Sequence, residues 1–213
     1  MLYSFTGGRD GGSTGGLIFD SSGNLYGTSG YGGDNDYGLV FQLTPSESGW
    51  TENILYRFQN GSDGYQPWGG LIFDPSGNLY GTTTEGGSGR GGTVFKLTRA
   101  NGTWSYSLFY SLPAGGYYGP QYNLVIDAAG NLYGTSSDGG SYEEGAVFKL
   151  TPGGGGWTYT SLHDFTGGVD GGIPTGLLLD GSGALFGTTQ VGGTGPCSGV
   201  NYRGCGVVYE ITP

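Results

Sequence analysis

The sequence predicts an all-β protein, a four-bladed β-propeller made of four repeats of about 53 residues with four antiparallel strands per blade. Three observations lead to this fold class. A six-residue motif recurs at a nearly constant step, each repeat contains four segments with strand character, and no segment combines helical periodicity with capping residues. The expected blades cover residues 15–58, 69–112, 122–165 and 175–213, the last together with residues 2–5.

The recurring motif is Gly-Asn-Leu-Tyr-Gly-Thr, with the variant Gly-Ala-Leu-Phe-Gly-Thr in the last repeat. The four copies are Gly23–Thr28, Gly77–Thr82, Gly130–Thr135 and Gly183–Thr188. An aspartate precedes each copy at the same distance, and these residues are Asp20, Asp74, Asp127 and Asp180. Glycine supplies 51 of the 213 residues, a fraction that without a period would indicate disorder. The fixed spacing instead indicates a repeat architecture.

Each repeat is interpreted as four strands, called A to D. In the second repeat they are Gly70–Asp74, Asn78–Thr83, Thr93–Thr98 and Trp104–Leu112. The Asp-x-x-Gly connection between A and B is typical of a hairpin turn, because the aspartate can accept from turn amides and glycine adopts a positive φ. Strand A lacks polar alternation, which indicates burial on both faces, as expected between two neighbouring blades.

Strand B contains a glycine in every repeat, a residue that weakens a strand unless another group approaches closely. These residues are Gly27, Gly81, Gly134 and Gly187. We expect an aromatic ring from the next blade to lie over each of them. The repeated tryptophans of the outer strand are expected to fill the wider gap between blades at the rim.

The two ends of the sequence look like parts of one blade. Leu2–Phe5 matches the second half of a strand D, as in Leu55–Phe58, and Val207–Thr212 is a strand C with no strand D after it. We therefore expect the N-terminal segment to close the ring by completing the last blade, which also protects a sheet edge. The alternative is that Leu2–Phe5 completes the blade of a neighbouring molecule. Since the sequence starts in mid-strand, we expect a mature fragment without signal or anchor.

Composition excludes several classes of partner. The formal net charge is −10, with only 7 lysines and arginines, so the cationic surface that nucleic acids require is lacking. Anionic membranes are disfavoured for the same reason, and no apolar run is long enough for membrane insertion. Neutral ligands such as sugars, and calcium as the one candidate cofactor, remain compatible with this charge.

Several motifs carry a family resemblance. Leu-Tyr-Gly-Thr is followed by Gly-Gly, by Gly-Thr-Val-Phe-Lys-Leu-Thr, by Trp and by Leu-Tyr-x-Phe, most completely in residues 70–98. This combination resembles the GloVer tandem repeat family over essentially the whole chain. The resemblance implies a bacterial protein that is secreted or displayed at the cell surface. It implies no catalytic residues.

Aromatic residues are the strongest binding candidates. In a propeller of this register the D–A and B–C loops share one face, and both are long here. The aromatic residues of these loops are Tyr31, Tyr37, Tyr65, Trp68, Tyr117, Tyr118, Tyr122, Tyr142 and Tyr202. Such rings provide large contact area at low entropic cost and stack on the C–H faces of sugars. Packing against their own glycine-rich loops is the equally weighted alternative.

Acidic residues of the same loops are weaker candidates for calcium. Asp10, Asp63 and Asp170 recur in an Asp-Gly context, and Asp34 and Asp36 lie close together in one B–C loop. Turn capping is the favoured interpretation for the first three and a solvated loop for the last two.

The last B–C loop is eight residues longer than its equivalents and contains both cysteines, Cys197 and Cys205. With no further ligands nearby for zinc, a disulfide is favoured, which implies an oxidising compartment. The only histidine, His163, occupies the repeat position of Tyr3 and Tyr56 and is interpreted as structural.

These observations favour a non-catalytic extracellular or cell-surface module that binds glycan or protein through one propeller face. One alternative is a structural subunit of an assembly formed by strand exchange. The second is a carbohydrate-active enzyme with paired carboxylates.

Overall fold

The computed structural model describes residues 1–47, 49–59, 61–113, 119–197 and 203–213. These residues form β-strands and turns without a helix, and the strands make four antiparallel sheets in chain order. The sheets are the blades of a β-propeller, as predicted. The described part of the chain contains no helix with the length and hydrophobicity needed to cross a membrane.

The strands follow the A-to-D order of the repeat. Blade 1 contains β1 (Gly12–Phe19), β2 (Leu25–Tyr31), β3 (Leu39–Ser46) and β4 (Gly49–Arg57). Blade 2 contains β5 (Ile72–Phe73), β6 (Leu79–Thr83), β7 (Thr93–Ala100) and β8 (Thr103–Ser111). Blade 3 contains β9 (Val125–Ile126), β10 (Leu132–Ser136), β11 (Ala146–Gly153) and β12 (Gly156–Asp164). Blade 4 contains β13 (Gly172–Leu179), β14 (Leu185–Val191) and β15 (Val208–Ile211).

The A–B turns form through the repeated aspartate. Asp74 Oδ1 accepts hydrogen bonds from the backbone N–H groups of Ser76 and Asn78, each at 2.9 Å. Burial acts to raise the pKa of the Asp74 carboxyl, but these bonds, the side-chain bond from Asn78 and the nearby charge of Lys96 outweigh it and lower the pKa. The equivalent bonds recur at Asp20, Asp127 and Asp180. The turn chemistry predicted from the sequence is therefore present in all four blades.

The strand-B glycines lie under aromatic rings, but the rings come from a different strand than predicted. A Cβ at Gly81 would lie 2.5 Å from Cζ of Phe95, which is the cross-strand partner of Gly81 in the same blade. Gly27 and Gly134 have the same relation to Phe41 and Phe148. The expectation of a ring from the next blade is wrong. The side chain of the directly paired residue on the adjacent strand lies closer to the glycine than any side chain of a neighbouring blade can.

Successive blades pack through the same positions each time. The buried cluster between blades 1 and 2 combines Tyr26 and Val40 of blade 1 with Leu71, Phe95 and Leu97 of blade 2. We call the face toward the next blade the trailing flank, here Tyr26 and Val40, and the face toward the preceding blade the leading flank, here Leu71 and Phe95. The equivalent positions form the clusters between blades 2 and 3 and between blades 3 and 4.

The outer-strand tryptophans bridge adjacent blades near the rim, as expected. The Trp104 ring of blade 2 lies edge-to-face with Tyr26 of blade 1, with centroids 5.9 Å apart. Trp157 of blade 3 lies 4.3 Å from Phe109 of blade 2. These contacts extend each apolar interface outward from the cluster described above.

The N-terminal segment differs from the prediction. Among the described residues the fourth sheet has three strands, and Leu2–Phe5 does not pair with β15. Instead, Tyr3 and Phe5 pack on the leading flank of blade 1, where the Phe5 ring lies 5.0 Å from Phe41. In blade 1 the equivalent residues do both, since Tyr56 pairs with Val40 while Phe58 packs against Phe95 of blade 2. The packing of Tyr3 and Phe5 needs only nearby residues of blade 1, whereas the pairing also needs β15 to lie beside residues 2–5.

Candidate functional site

A pocket of about 670 Å³ opens on the face formed by the D–A and B–C loops of blades 1 to 3. Its lining residues are Tyr31, Gln66, Trp68, Glu85, Gln121 and Tyr122. Three of the six are aromatic residues that the sequence singled out. The other three carry amide or carboxylate groups, so the pocket combines apolar walls with hydrogen-bonding groups.

Three blades contribute to this pocket because strands B and D of these blades end at the same face of the propeller. Tyr31 is the last residue of β2 in blade 1, and Glu85 follows β6 in blade 2. Gln66 and Trp68 lie in the segment between β4 and β5, and Tyr122 precedes β9. The D–A and B–C loops therefore meet on one face, as the repeat register predicts.

Trp68 and Tyr31 form the aromatic wall. Their rings lie edge-to-face with centroids 5.1 Å apart. The Trp68 ring rests directly on Gly30, where a Cβ would lie 2.7 Å from two ring atoms. Gly30 is thus the residue that lets the indole lie flat against the end of β2, leaving Tyr31 42% exposed at the mouth of the pocket.

Glu85 is held at the pocket wall by Tyr65. The Tyr65 hydroxyl donates to Glu85 Oε2, and the two residues also pair through their backbones, with Tyr65 N–H donating to Glu85 O at 2.9 Å. The hydrogen bond to Glu85, followed by burial, raises the pKa of Tyr65 to about 12. The Tyr37 ring lies 5.7 Å from the Tyr65 ring. Tyr65 therefore holds a residue of the pocket wall and Tyr37 packs on Tyr65, but neither of the two is among the lining residues.

Tyr122 connects the pocket to blade 4. Its hydroxyl accepts a hydrogen bond of 3.2 Å from the Nε2 group of Gln190, an exposed residue of β14. Through the amide of Gln190, blade 4 therefore also contributes a polar group next to the pocket.

Gln66 adopts a left-handed conformation, with φ of 56°. Its N–H donates to Tyr37 O, and its carbonyl accepts from Thr84 N–H. Ser13 and Ile173, at the equivalent repeat positions, have φ values of 50° and 54°. The conformation is therefore a feature of the repeat, and at Gln66 it directs an amide side chain to the pocket.

The model of the Gloeobacter/Verrucomicrobia repeat family matches residues 1–201. The chain belongs to this family. Membership agrees with the resemblance seen in the repeated motifs. The pocket described above lies among the loops of three of these repeats. No curated protein matches the chain.

Solved structures similar to this repeat-family chain include an X-ray structure of a candidate gluconolactonase, with 20% identity and a TM-score of 0.52. That alignment covers 93% of this chain and 58% of the other. A protein of unknown function from Dyadobacter fermentans is 13% identical, with a TM-score of 0.49 and coverage of 81% and 55%. A candidate oxidoreductase (glucose dehydrogenase) from Thermus thermophilus is 15% identical, with a TM-score of 0.36 and coverage of 84% and 78%.

At these sequence identities the similarity to solved structures shows only the fold. The structure of the candidate gluconolactonase, with a TM-score of 0.52, supports the propeller fold. The repeat-family chain spans less than two thirds of the length of the first two structures.

The remaining aromatic candidates divide into two groups. Tyr142 is 60% exposed in the B–C loop of blade 3 and is not among the residues that line the pocket. Tyr117, Tyr118 and Tyr202 lie outside the described residues.

Gln66, Glu85 and Gln121 were missed by the sequence interpretation, which considered aromatic and aspartate residues in these loops. Gln66 lies two residues before Trp68 and Gln121 directly before Tyr122. An amide beside a loop aromatic, found in two successive repeats, is the signal that could have identified the two glutamines.

The aspartates of the D–A loops act as turn caps and are not brought together. Asp63 Oδ2 accepts from Gln59 N–H at 2.9 Å and from the Tyr56 hydroxyl at 3.0 Å. Asp10 and Asp170 make the equivalent bonds in their own loops. His163 takes the place of Tyr56 in this arrangement, with Nε2 3.1 Å from Asp170 Oδ2. His163 therefore has the structural role that its position in the repeat predicted.

Asp34 and Asp36 also have protein partners. Asp34 Oδ1 lies 2.5 Å from Nη2 of Arg9 and 3.8 Å from Nε of Arg57, so arginines already face this carboxylate. Asp36 accepts from Gly32 N–H at 2.7 Å. Within the described ranges, no three acidic, histidine or cysteine residues are grouped in a way that could hold a metal ion.

Cys197 and Cys205 form a disulfide, with Cα atoms 5.7 Å apart, as predicted. Near this loop, Nη1 of Arg203 pairs with Oε1 of Glu144 in blade 3. The extended last loop is thereby tied both to itself and to the preceding blade.

Proposed function

We propose that the chain is a non-catalytic binding module, secreted or displayed at the cell surface, that binds a glycan in the pocket between Tyr31, Trp68 and Tyr122. The observation that carries this proposal is the convergence of aromatic, amide and carboxylate side chains from three blades at one cavity. Loops on a rigid propeller are a common position for ligand sites.

The aromatic wall supports a sugar ligand. The C–H faces of a pyranose are apolar and pack on aromatic rings, while its hydroxyls need donors and acceptors at the edge. Trp68 and Tyr31 supply the rings, and Tyr31 is exposed enough to contact a ligand.

The polar groups support the same ligand class. Gln66 and Gln121 each provide both a donor and an acceptor, and Glu85 provides acceptors for hydroxyl groups. The volume of about 670 Å³ falls within the roughly 300–1,000 Å³ typical of small-molecule sites. A neutral hydroxylated ligand matches this lining better than an apolar one, since an apolar ligand would leave these groups without hydrogen bonds.

The composition of the lining favours binding over hydrolysis. Glycoside hydrolysis generally uses two carboxyl groups that flank the scissile bond. Among the described residues that line the pocket, Glu85 is the one carboxylate, and it already accepts a hydrogen bond from Tyr65.

The proposed extracellular location is supported by the disulfide between Cys197 and Cys205, because disulfides persist in oxidising compartments. The shortage of charged side chains, which make up 11% of the sequence, gives no competing indication of a nucleic-acid partner.

The test is a glycan array followed by titration calorimetry on the strongest hit. Trp68→Ala and Gln121→Ala should each weaken binding roughly tenfold or more, since a contact worth about 1.4 kcal/mol corresponds to a factor of ten. Tyr142→Ala is the matched control, because Tyr142 is an exposed aromatic of a B–C loop outside the pocket. Gln121→Ala removes only a partly exposed amide, so it tests the site even if Trp68→Ala unfolds.

Unchanged affinity in the Gln121→Ala variant together with loss in the Tyr142→Ala variant would place the ligand elsewhere. Absence of any glycan hit with the folded wild-type protein would remove the glycan proposal.

A further inference from the structure

A second cavity, of about 650 Å³, opens between blades 1 and 2 on the opposite face of the propeller from the pocket of Tyr31, Trp68 and Tyr122. It includes Asn24 of the A–B turn of blade 1 and Gly102 of the C–D turn of blade 2, and these turns lie at the strand ends away from the D–A and B–C loops. We call this cavity the inter-blade groove and the first one the loop-face pocket. The side chains that matter for the groove are Asn24, Gln42, Ile54, Leu55, Arg99 and Trp104.

The inter-blade groove has one charged side chain, and that side chain is a cation. Among the described residues that line it, Arg99 carries the charge and no carboxylate contributes. The chain as a whole has 17 acidic residues against 7 lysines and arginines, and the loop-face pocket contains Glu85. The groove is therefore a local positive site on an acidic protein, which favours a ligand with a negative charge.

Arg99 departs from the repeat at its own position. The other three repeats have proline there, namely Pro45, Pro152 and Pro213. Proline at this position is compatible with the blade, so the fold does not require an arginine. A guanidinium at this place is therefore better explained by a ligand than by folding.

Trp104 orients the guanidinium. Arg99 and Trp104 are cross-strand partners, and Cζ of Arg99 lies 5.9 Å from the centre of the Trp104 ring. Within the described ranges Arg99 forms no ion pair, whereas Arg9, Arg57 and Arg203 each face an aspartate or a glutamate. The N–H groups of Arg99 are therefore available to an anionic ligand.

Two amides of blade 1 present acceptors beside this cation. Gln42 Nε2 donates to the Tyr26 hydroxyl at 2.8 Å, and Asn24 Nδ2 donates to Asp20 Oδ2 at 2.8 Å. Both amide nitrogens are engaged, and no hydrogen bond in the described part of the chain uses Gln42 Oε1 or Asn24 Oδ1. These carbonyl oxygens can accept from the hydroxyl groups of a ligand.

The groove is open because two side chains are smaller here than at the next interface. Between blades 2 and 3, the Phe109 ring lies 4.3 Å from the Trp157 ring, and Nζ of Lys96 lies 5.8 Å from the centre of the Phe109 ring. Blade 1 has Leu55 in place of Phe109 and Gln42 in place of Lys96. The space that a ring and a lysine fill at the second interface is thus available at the first.

We propose that the inter-blade groove binds an acidic saccharide unit, a sugar ring with one monoanionic group, either a carboxylate or a sulfate ester. Arg99 pairs with the anionic group through two parallel hydrogen bonds. The carbonyl oxygens of Asn24 and Gln42 accept from ring hydroxyls, and Ile54 and Leu55 contact the C–H groups of the ring. One cation matches one negative charge, which favours a monoanion over a phosphate dianion.

The test is a glycan array that presents oligosaccharides with a uronate or a sulfate ester, each beside its neutral parent (the methyl ester or the unsulfated sugar). The wild-type protein should bind the acidic member of at least one pair about tenfold or more tightly than its parent, because hydrogen bonds to charged groups are the stronger ones. The strongest acidic hit is then titrated by calorimetry with four variants.

Arg99→Gln removes the charge and keeps a hydrogen-bonding amide, and it should weaken binding of the acidic hit about tenfold or more. Arg9→Gln is the matched control, since it changes the net charge equally at an exposed arginine on the other face. Leu55→Phe should also abolish binding, because the ring fills the groove as Phe109 fills the next interface. Its control is Leu162→Phe, the same substitution at the equivalent position of blade 3, and both controls should retain wild-type affinity.

Equal affinity of the wild-type protein for every acidic oligosaccharide and its neutral parent overturns the proposal. So does equal loss in Arg9→Gln and Arg99→Gln, since the overall charge of the protein would then explain the binding. Full affinity in a folded Leu55→Phe variant also overturns it. Preference for uronates or for sulfate esters supports the proposal in either case and identifies the anionic group. These substitutions lie away from the loop-face pocket, so the two proposals fail separately.

Discussion

Substitution of Gly81 by alanine tests how the blades are packed. A Cβ at this position would lie 2.5 Å from Cζ of Phe95 and 2.8 Å from Cδ2 of Leu71. Both neighbours are fully buried, at 0% exposure, so neither ring nor methyl group can move without displacing the cluster between blades 1 and 2. The variant should therefore be overpacked.

The expected cost follows from two opposing effects. Inserting a methyl group into a packed core costs about 1–3 kcal/mol. Replacing glycine by alanine also restricts the unfolded chain, which stabilises the protein by about 0.4–1 kcal/mol. The net loss should be about 1–2 kcal/mol, which for a chain of this size lowers Tm by about 2–8 °C.

The assay is urea denaturation followed by tryptophan fluorescence, with thermal unfolding as a second measurement. Gly155→Ala is the control, because no atom lies within 4 Å of a Cβ at this position. The double variant Gly81→Ala/Phe95→Leu should cost less than the sum of the two single changes, since the shorter side chain removes the clash. If Gly81→Ala and Gly155→Ala have the same stability, the close approach of Phe95 to strand B is refuted.

Two further outcomes are expected. Stability should fall on acidification, because the folded-state pKa values of Asp20, Asp74 and Asp127 are lowered from 3.8. A depressed carboxyl pKa contributes stability that is present above the unfolded value and is lost as pH falls through the folded value; urea midpoints measured from pH 6 downward check this, and Asp74→Asn should flatten the slope. Replacing Cys197 and Cys205 together by serine should lower stability by about 2.5 kcal/mol in the chain-entropy model, and equal unfolding midpoints with and without a reductant in the wild-type protein would contradict this expectation.

Much of the fold was predictable because the repeat places equivalent residues in equivalent environments. Asp74 and its counterparts make the predicted turn bonds, since this interaction depends only on residues within one turn. The source of the ring over Gly81 was not predictable in the same way. Spacing along the chain identifies the aromatic residue, but which ring covers the glycine depends on the pairing of β6 with β7.

The candidate site was only partly predictable. Tyr31, Trp68 and Tyr122 were identified as loop aromatics on the correct face, but nothing in the linear order shows that they share one pocket with Glu85. Asp34 was a weaker calcium candidate, with a solvated loop as the favoured interpretation, and neither interpretation included the two arginines, Arg9 and Arg57, that the structure places beside it. Arg9 is 25 residues from Asp34 in sequence, and contacts over such separations cannot be found from local motifs.

The sequence by itself determined the number of repeats, the strand order within each blade and the chemistry of each tight turn. These properties depend on contacts within about a dozen residues or on a period that glycine and aspartate mark clearly. Only the tertiary structure decided that Tyr3 and Phe5 pack on blade 1 and that, within the described ranges, β14 is the strand that pairs with β15. That outcome depends on where β15 lies relative to blade 1, which follows from the packing of all the blades and is not encoded in the local sequence of residues 2–5.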